Sequence, residues 1–363
     1  MLTYLTSIVY NDFIKFLALK DGKFMSKGKK VLIITLSVIL GIILILVSAY
    51  FAFYYSGKNK FHRSDKNIEN SKISEVDNDP SLIEYQGKKY KLNENIISIL
   101  FIGIDKENLS SNLGYGKNGQ ADCLFIMTID TSDKSIDIIP VSRETIADVN
   151  IYADSGNFGG TQKEQICLSY AYGNSPESCS ENVLRSVKRA MYGINISSYV
   201  TVDLKCIEKV VDSIGGVELV PIETIKTEGL GTIYEGKSTK LNGKKSVAYI
   251  RSRDDDIEAN SRRMERQKQF LTAFASKLGN TILNNPSRLT SFYNNMKPYY
   301  YTNIDFSQVT YLASNFLAGN IGNSFKFHKI KGTLQKGEKW IEFIPNEESV
   351  LENIINVFYI EKK

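Results

Sequence analysis

The chain reads as an α/β protein: a central mixed β-sheet flanked by helices and preceded by a single transmembrane helix. Three observations predict this. From Val31 to Gly57 there are 27 residues without a charge, enough to span a bilayer. Short, nearly continuous apolar runs, IISILFIGID (96–105) and ADCLFIMTID (121–130), are typical of strands covered on both faces. Beyond them strand-like and helix-like stretches alternate, the pattern of a sheet layered with helices.

Of the 363 residues 42% are hydrophobic, with 21 tyrosines and 18 phenylalanines, ample for a core. The net charge of +5 is concentrated at the start. Residues 1–30 hold six lysines and two aspartates, a net of +4, which leaves the remaining 333 at +1. A nucleic-acid binder would carry a basic face on its folded part, so no nucleic-acid partner is expected. Lys27, Lys29 and Lys30 precede the apolar run, and Tyr50, Phe51, Phe53, Tyr54 and Tyr55 close it as an aromatic belt. This puts residues 1–30 in the cytoplasm, an uncleaved anchor over 31–55 in the lipid bilayer, and the bulk outside a single-pass cell membrane. Residues 56–81 are polar and lack apolar periodicity, so they read as an extracytoplasmic linker. Residues 82–363 form the extracytoplasmic domain, with its core at about 94–278 and a C-terminal completion over 279–363.

Within that domain EYQGKKYKLN reads as a hairpin turning at Gly87. The first apolar strand ends in Asp105. A polar loop (107–119) leads to the second, which has Asp122 at its start. KSIDIIPVSRET is a third strand, with Arg143 and Glu144 just past its end. Acids and an arginine at strand ends are where α/β proteins place their sites. A helix over 180–191 stops at Gly193; SSYVTVDL is a strand; a helix over 205–214 stops at Gly215; VELVP is a strand. A loop (222–242) leads to YIRSRDDDIEANSRRMERQKQFLTAF (249–274). After it come PYYYTNI, a helix near 306–318, strands around KFHKIKG and KWIEFIP, and the helix SVLENIINVF.

The 249–274 stretch concentrates the chemistry. Met264, Leu271, Phe274 and Leu278 make a helical stripe, and Arg263 and Gln267, four apart, fall on or beside it. Polar groups aimed at a core need partners, because burying them unpaired costs kilocalories. Arg251 and Arg253 flank one serine, which in extended backbone points both to the same side. Arginine forks match phosphate oxygens, so a pyrophosphate clamp is one reading. A solvated basic helix pairing with Asp254, Asp255, Asp256 and Glu258 is the other. The two histidines (62 and 328) and four cysteines without a CxxC give little material for a Ser-His-Asp enzyme or a thiolate metal site. Cys123 lies on the strand face opposite Asp122 if alternation holds, and Cys167 and Cys179 flank one loop as either free thiols or a disulfide. Carboxylates and arginines remain, the toolkit for a hard cation and a phosphate ester.

The order GID, GQAD, PVSRET, QICLSYAYG, GGVELVP, LNGKKSVAYIRSR, RRMERQ resembles the LytR-CpsA-Psr family of cell-wall glycopolymer transferases, over roughly residues 90–275. The resemblance implies transfer of a glycopolymer from a polyprenyl-pyrophosphate carrier to peptidoglycan, with Mg²⁺ or Mn²⁺, in a Gram-positive-type envelope. It implies pyrophosphate contacts from Arg143, Arg251, Arg253, Arg263 and Gln267, with Arg266 completing the R-x-x-R-Q signature. Asp105 and Asp122 fall where the family holds metal, and Asp122, Arg143 and Arg263 are the catalytic candidates. The general base is either Asp122 or Glu144. The chain departs from the family pattern at Gln120 and Gln165, where cations are common, and Lys163 is a candidate replacement for one. A lipid-pyrophosphate hydrolase and a non-catalytic envelope regulator are the alternatives. An apolar groove between sheet and helices is expected to take the polyprenyl chain.

Overall fold

The computed structural model describes residues 27–61, 74–76, 79–106, 109, 114–252, 259–285, 296–317, 325–338 and 340–362. The chain divides into two compact units, Met1–Ala52 and Phe53–Lys363. Helix α1 (Lys27–Phe61) begins in the first and ends in the second. By length and composition its Thr35–Phe61 portion can cross a membrane. The helix continues past residue 55 to Phe61. Strands β1 (Ser74–Val76) and β2 (Asp79–Tyr85) also begin before residue 82, so the stretch read as a linker, 56–81, carries structure at both ends.

The second unit continues through β3 (Lys88–Leu92), β4 (Ile96–Ile104), β5 (Ala121–Asp130), β6 (Ile136–Val141), β7 (Ile146–Tyr152) and β8 (Phe158–Gln165). A 3-10 turn over Ile166–Tyr172 leads to α2 (Pro176–Ala190), β9 (Ser198–Val202) and α3 (Leu204–Ser213). Next come β10 (Val217–Leu219), β11 (Ile225–Thr227), β12 (Gly231–Ile233), β13 (Thr239–Leu241), α4 (Gly243–Arg251) and α5 (Ala259–Asn284). Then follow β14 (Tyr300–Thr302), α6 (Phe306–Leu317), β15 (Phe325–Phe327), β16 (Gly332–Lys336), β17 (Ile341–Pro345), α7 (Glu347–Phe358) and β18 (Tyr359–Glu361). The helices start where polar side chains can satisfy their first amides. Ser175 and Ser178 form a reciprocal cap on α2, while Asp203, Asn242 and Asn346 cap α3, α4 and α7.

The central sheet has six strands in the order β14-β9-β4-β5-β6-β15. The β4/β9 and β6/β15 pairs are parallel and the others antiparallel, so the sheet is mixed, as the sequence predicts. Side chains alternate between its two faces. Leu100, Ile102, Leu124, Ile126 and Ile139 enter a core with Val183 and Val187 of α2 and Leu351 and Ile354 of α7. Ile97, Ile99, Ile129, Ile136 and Ile138 face Tyr311 of α6. On this second face Phe101, Phe125, Met127, Phe327 and Leu271 of α5 are only partly buried. A separate core gathers Val211, Val217, Leu241, Tyr249 and Phe270.

VELVP forms the strand read from the sequence, β10, which pairs with β13 outside the central sheet. Elsewhere the fold departs from the sequence reading in two places. The segment 222–242 is not one loop; it holds the β11–β12 hairpin and β13. Residues 146–165, to which the sequence analysis assigns no element, form the β7–β8 hairpin. Its strand β8, FGGTQKEQ, lacks the alternation that marks a half-buried strand, because most of its residues are exposed.

Candidate functional site

The site lies at the end of the sheet where β4 finishes and β5 starts. These strands are antiparallel neighbours, so Asp105 and Asp122 share one end of the sheet. The pairing runs Gly103 to Cys123 and then Ile104 to Ala121, which leaves Asp122 as the extra residue of a bulge. A bulge re-aims a side chain and interrupts alternation. The two neighbours therefore do not divide between site and far side, as alternation predicts for Cys123. The Asp122 carboxylate meets Arg143, while Cys123 Sγ lies 3.4 Å from Gln267 Oε1 on α5. Opposite it a Cβ on Gly103 would come within 3.0 Å of the Cys123 Cβ, so glycine keeps room for that thiol. Burial raises the Cys123 thiol to about 11 although Arg263 pulls the other way, which makes it an inert neighbour and not a nucleophile.

Arg143, just past β6, is held on three sides. Its Nη1 lies 2.8 Å from Asp122 Oδ1, and its Nη2 donates to Gln120 Oε1 and reaches Cys167 Sγ at 3.4 Å. Burial disfavours its charge, but Cys167, Asp122 and Glu144 outweigh that and hold its pKa above the usual value. Cys167 and Cys179 are both free thiols, so the disulfide alternative does not hold. Cys167 is buried against Arg143, and its thiol is raised by burial. Gln165 is buried and donates to the Ile341 carbonyl at 2.7 Å. Lys163 does not reach Arg143; it pairs with Asp148 on the hairpin at 3.0 Å. Glu144 is only 4% exposed, with its backbone carbonyl taking the Phe343 amide.

The arginines of the 249–274 stretch split in role. Arg251 is the last residue of α4 and not part of an extended segment. Its Nη2 lies 2.6 Å from Asp105 Oδ1. Arg253 lies outside the described residues, as do Asp254, Asp255, Asp256 and Glu258. Arg263 is 5% exposed; its Nη2 sits 2.7 Å from Asn260 Oδ1 and 3.5 Å from the Asp122 carbonyl. Asn260 in turn donates to Ser142 Oγ at 3.0 Å, tying α5 to the end of β6. Gln267 reaches the Ile250 carbonyl at 3.4 Å. Arg266 is structural: at 2% exposure it donates to the carbonyls of Tyr249 and Ser252 and pairs with Glu223, fastening α5 to the end of α4.

The site arginines are therefore not short of acids. Arg143 faces Asp122 and Arg251 faces Asp105, so the two acids and two of the arginines expected to bind substrate neutralise one another. Sequence reasoning missed Cys167 and Asn260. Cys167 was within reach, since it sits in the QICLSYAYG stretch; Asn260 carries no signal before the helix phase is known. The oxygen donor set of Asp105 and Asp122 fits a divalent ion that brings substrate oxygens with it. Mg²⁺ commonly takes one or two carboxylates and fills its remaining positions from phosphate and water. Among the described residues there is no group of three or more His, Cys, Asp or Glu that would form a complete protein cage.

Comparison with known proteins follows the same lines. The chain is 24% identical over 296 residues to the polyisoprenyl-teichoic acid–peptidoglycan teichoic acid transferase TagU of Enterococcus faecalis, covering 80% of this chain and 85% of that protein. With the Bacillus subtilis protein of that name it shares 25% over 338 residues, 90% of this chain and 95% of the relative. The crystal structure of B. subtilis TagV superposes with a TM-score of 0.57 at 20% identity, over 72% of this chain and 96% of that one. The sequence profile of the LytR_cpsA_psr family matches residues 51–356. The chain belongs to the LytR-CpsA-Psr family.

Proposed function

We propose that this chain is a membrane-anchored phosphotransferase that moves a glycopolymer from a polyprenyl-pyrophosphate carrier to peptidoglycan in a Gram-positive-type envelope. One observation carries the reading, a polar-to-apolar gradient along α5. Arg263 lies against the Asp122 carbonyl, Gln267 one turn on touches Cys123, and Leu271 a further turn on joins Phe101, Phe125 and Met127. The rings of Phe101 and Phe125 stack 4.9 Å apart on this partly buried face. An anionic head at the arginines with a long apolar tail along the sheet satisfies both ends. The names of the TagU relatives, teichoic acid transferases acting from polyisoprenyl carriers to peptidoglycan, support the same substrate pair.

The mechanism follows from which groups the substrate would displace. A pyrophosphate entering the site competes with Asp122 for Arg143 and with Asp105 for Arg251, and guanidinium forks match its oxygens. The two carboxylates released in this exchange are the ones that would hold Mg²⁺ or Mn²⁺. That ion supplies charge neutralisation at the phosphate oxygens. An acceptor hydroxyl attacks the sugar-linked phosphorus, the P–O bond to the bridging oxygen breaks, and polyprenyl phosphate leaves with the electron pair. Arg143, Arg251 and Arg263 stabilise the charge that accumulates on the leaving oxygen. The hydroxyl proton goes to one of the two carboxylates beside Arg143, Asp122 or Glu144. The family pattern extends the same clamp to Arg253. The apolar stretch of α1, with lysines at its start and aromatics at its close, anchors the domain outside the membrane as a single pass.

The test is product analysis with a polyprenyl-pyrophosphate-linked saccharide and peptidoglycan. Polymer covalently joined to the wall supports the proposal. Free sugar phosphate alone would make the protein a hydrolase, and binding without turnover would make it a regulator; either outcome overturns it.

A further inference from the structure

The β7–β8 hairpin starts from the site and ends in an aromatic cluster that no hydrophobic core absorbs. At its base Ile146, two residues after Glu144, pairs with Gln165, two residues before Cys167, the neighbour of Arg143. At its tip Tyr152 pairs with Phe158. The Tyr152 ring lies 5.6 Å from Phe158 and 5.5 Å from Tyr115, which comes from the loop leading to Gln120. Phe158 is 59% exposed. None of the three belongs to a core cluster of the described residues. The turn is shaped around them: Gly156 has φ +85, and a Cβ there would meet the Tyr115 ring at 3.0 Å.

The surroundings of the rings narrow what covers them. Beside them β8 exposes Thr161, Gln162 and Lys163, and the nearby charges are paired, Lys117 with Asp154 and Lys163 with Asp148. An apolar protein partner or a lipid tail would strand those polar groups, and a polyanion would find no unpaired basic patch in those two pairs. A sugar chain fits, since its ring C–H faces rest on aromatic faces while its hydroxyls meet amides and hydroxyls alongside. The reach also fits. Six residues of strand separate base from tip, about 20 Å at the rise of a β-strand, a span of a few sugar units.

The side on which the hairpin lies decides between donor and acceptor glycan. Through Ala147 it packs into the core on the α2 side of the sheet, whereas the apolar stretch along α5 is on the other face. In phosphoryl transfer the attacking and leaving oxygens are roughly in line. With the polyprenyl leaving group on the α5 side, the acceptor hydroxyl approaches from the opposite side, where the hairpin stands. We infer that Tyr115, Tyr152 and Phe158 form a subsite for the acceptor glycan strand, on which distant sugars rest while a nearer hydroxyl reaches the phosphorus. This rests on the transferase reading above.

The experiment uses the full chain in membranes, as wild type, the Tyr152→Ala/Phe158→Ala double variant, and Phe158→Trp. Binding of a peptidoglycan tetrasaccharide is measured directly, without donor, alongside KM for acceptor and for lipid donor. The expected result is a fivefold or greater loss of tetrasaccharide affinity and a matching rise in acceptor KM in the double variant. Donor KM and kcat stay unchanged, and Phe158→Trp retains binding. A rise in donor KM alone would assign the rings to the donor glycan and overturn the inference. Unchanged binding in a folded double variant would show that the rings only stiffen the hairpin, and would also overturn it. Tetrasaccharide binding that depends on the rings in a wild type that transfers nothing would sink the transferase reading while the glycan subsite stood.

Discussion

Arg143 Nη1 lies 2.8 Å from Asp122 Oδ1, and the same guanidinium donates to Gln120 and reaches Cys167. The arginine is thus oriented before any substrate arrives, with its three partners set on two segments of the chain. Replacing Arg143 with alanine removes a charged hydrogen-bonding group, worth about 1.5–3 kcal/mol. Affinity for a polyprenyl-pyrophosphate analogue should fall by about 10- to 150-fold. Arg143→Lys should recover only part of this, because a point charge cannot reproduce the fork. Equilibrium binding to lipid nanodiscs reads both, and full affinity in Arg143→Ala would remove this residue from the clamp.

The exchange of partners between acids and arginines makes a second expectation. Asp122→Asn should abolish transfer with the fold intact, and Asp105→Asn should be milder, since Asp105 faces the more exposed Arg251. Mg²⁺ should bind weakly alone and tighten when the lipid pyrophosphate is present. Calorimetric titration of Mg²⁺ with and without lipid checks the coupling. Full turnover in excess chelator would end the metal-assisted account.

Arg266 should behave differently from the other arginines. It is buried, holds the Tyr249 and Ser252 carbonyls and pairs with Glu223. Arg266→Ala leaves that carboxylate and both carbonyls without their donor, at a cost of about 2–3 kcal/mol for a partly buried pair. Chemical denaturation should show the largest loss among the single arginine variants. An unchanged midpoint would mean that the α4–α5 junction does not depend on it.

Asp203 gives a pH signature. It caps α3, accepting the Cys206 amide at 2.7 Å, yet is 1% exposed, and burial raises its carboxyl to about 6. Its folded value is above its unfolded one, so its contribution is fully present below about pH 4 and is lost as pH rises through about 6. Asp203→Asn keeps the cap without a titrating charge. The variant should be more stable than wild type at pH 7 by about 1–2 kcal/mol, and the difference should vanish near pH 4. Denaturation midpoints at the two pH values measure it; equal differences at both would contradict the assignment.

How much was legible in the sequence differs element by element. The strands ending at Asp105 and beginning at Asp122 were plain, because runs covered on both faces leave an unmistakable apolar signature. The convergence of Arg263 and Gln267 on the site was readable from helical phase alone. The partners of the arginines were not. Arg251 meets Asp105 from the last turn of a helix that the tyrosine-to-arginine stretch disguised as extended chain. The bulge at Asp122 also left no trace, since it is defined by the register of a neighbouring strand. The β7–β8 hairpin stayed hidden for a related reason: an exposed ribbon needs no alternation of apolar residues to stay paired.

Both edges of the central sheet are supplied late in the chain, β14 against β9 and β15 against β6, and β18 closes on β3 near the beginning of the second unit. During synthesis β6 and β9 are open ladders long before their covers arrive. Pairing over such sequence separations is slow, and open strand edges recruit other chains. The architecture therefore leaves those edges open to other chains until the C-terminal strands pair. It also makes the final segment, remote in sequence from Arg143 and Asp122, the part whose loss would most readily turn a wall-building protein into an aggregate.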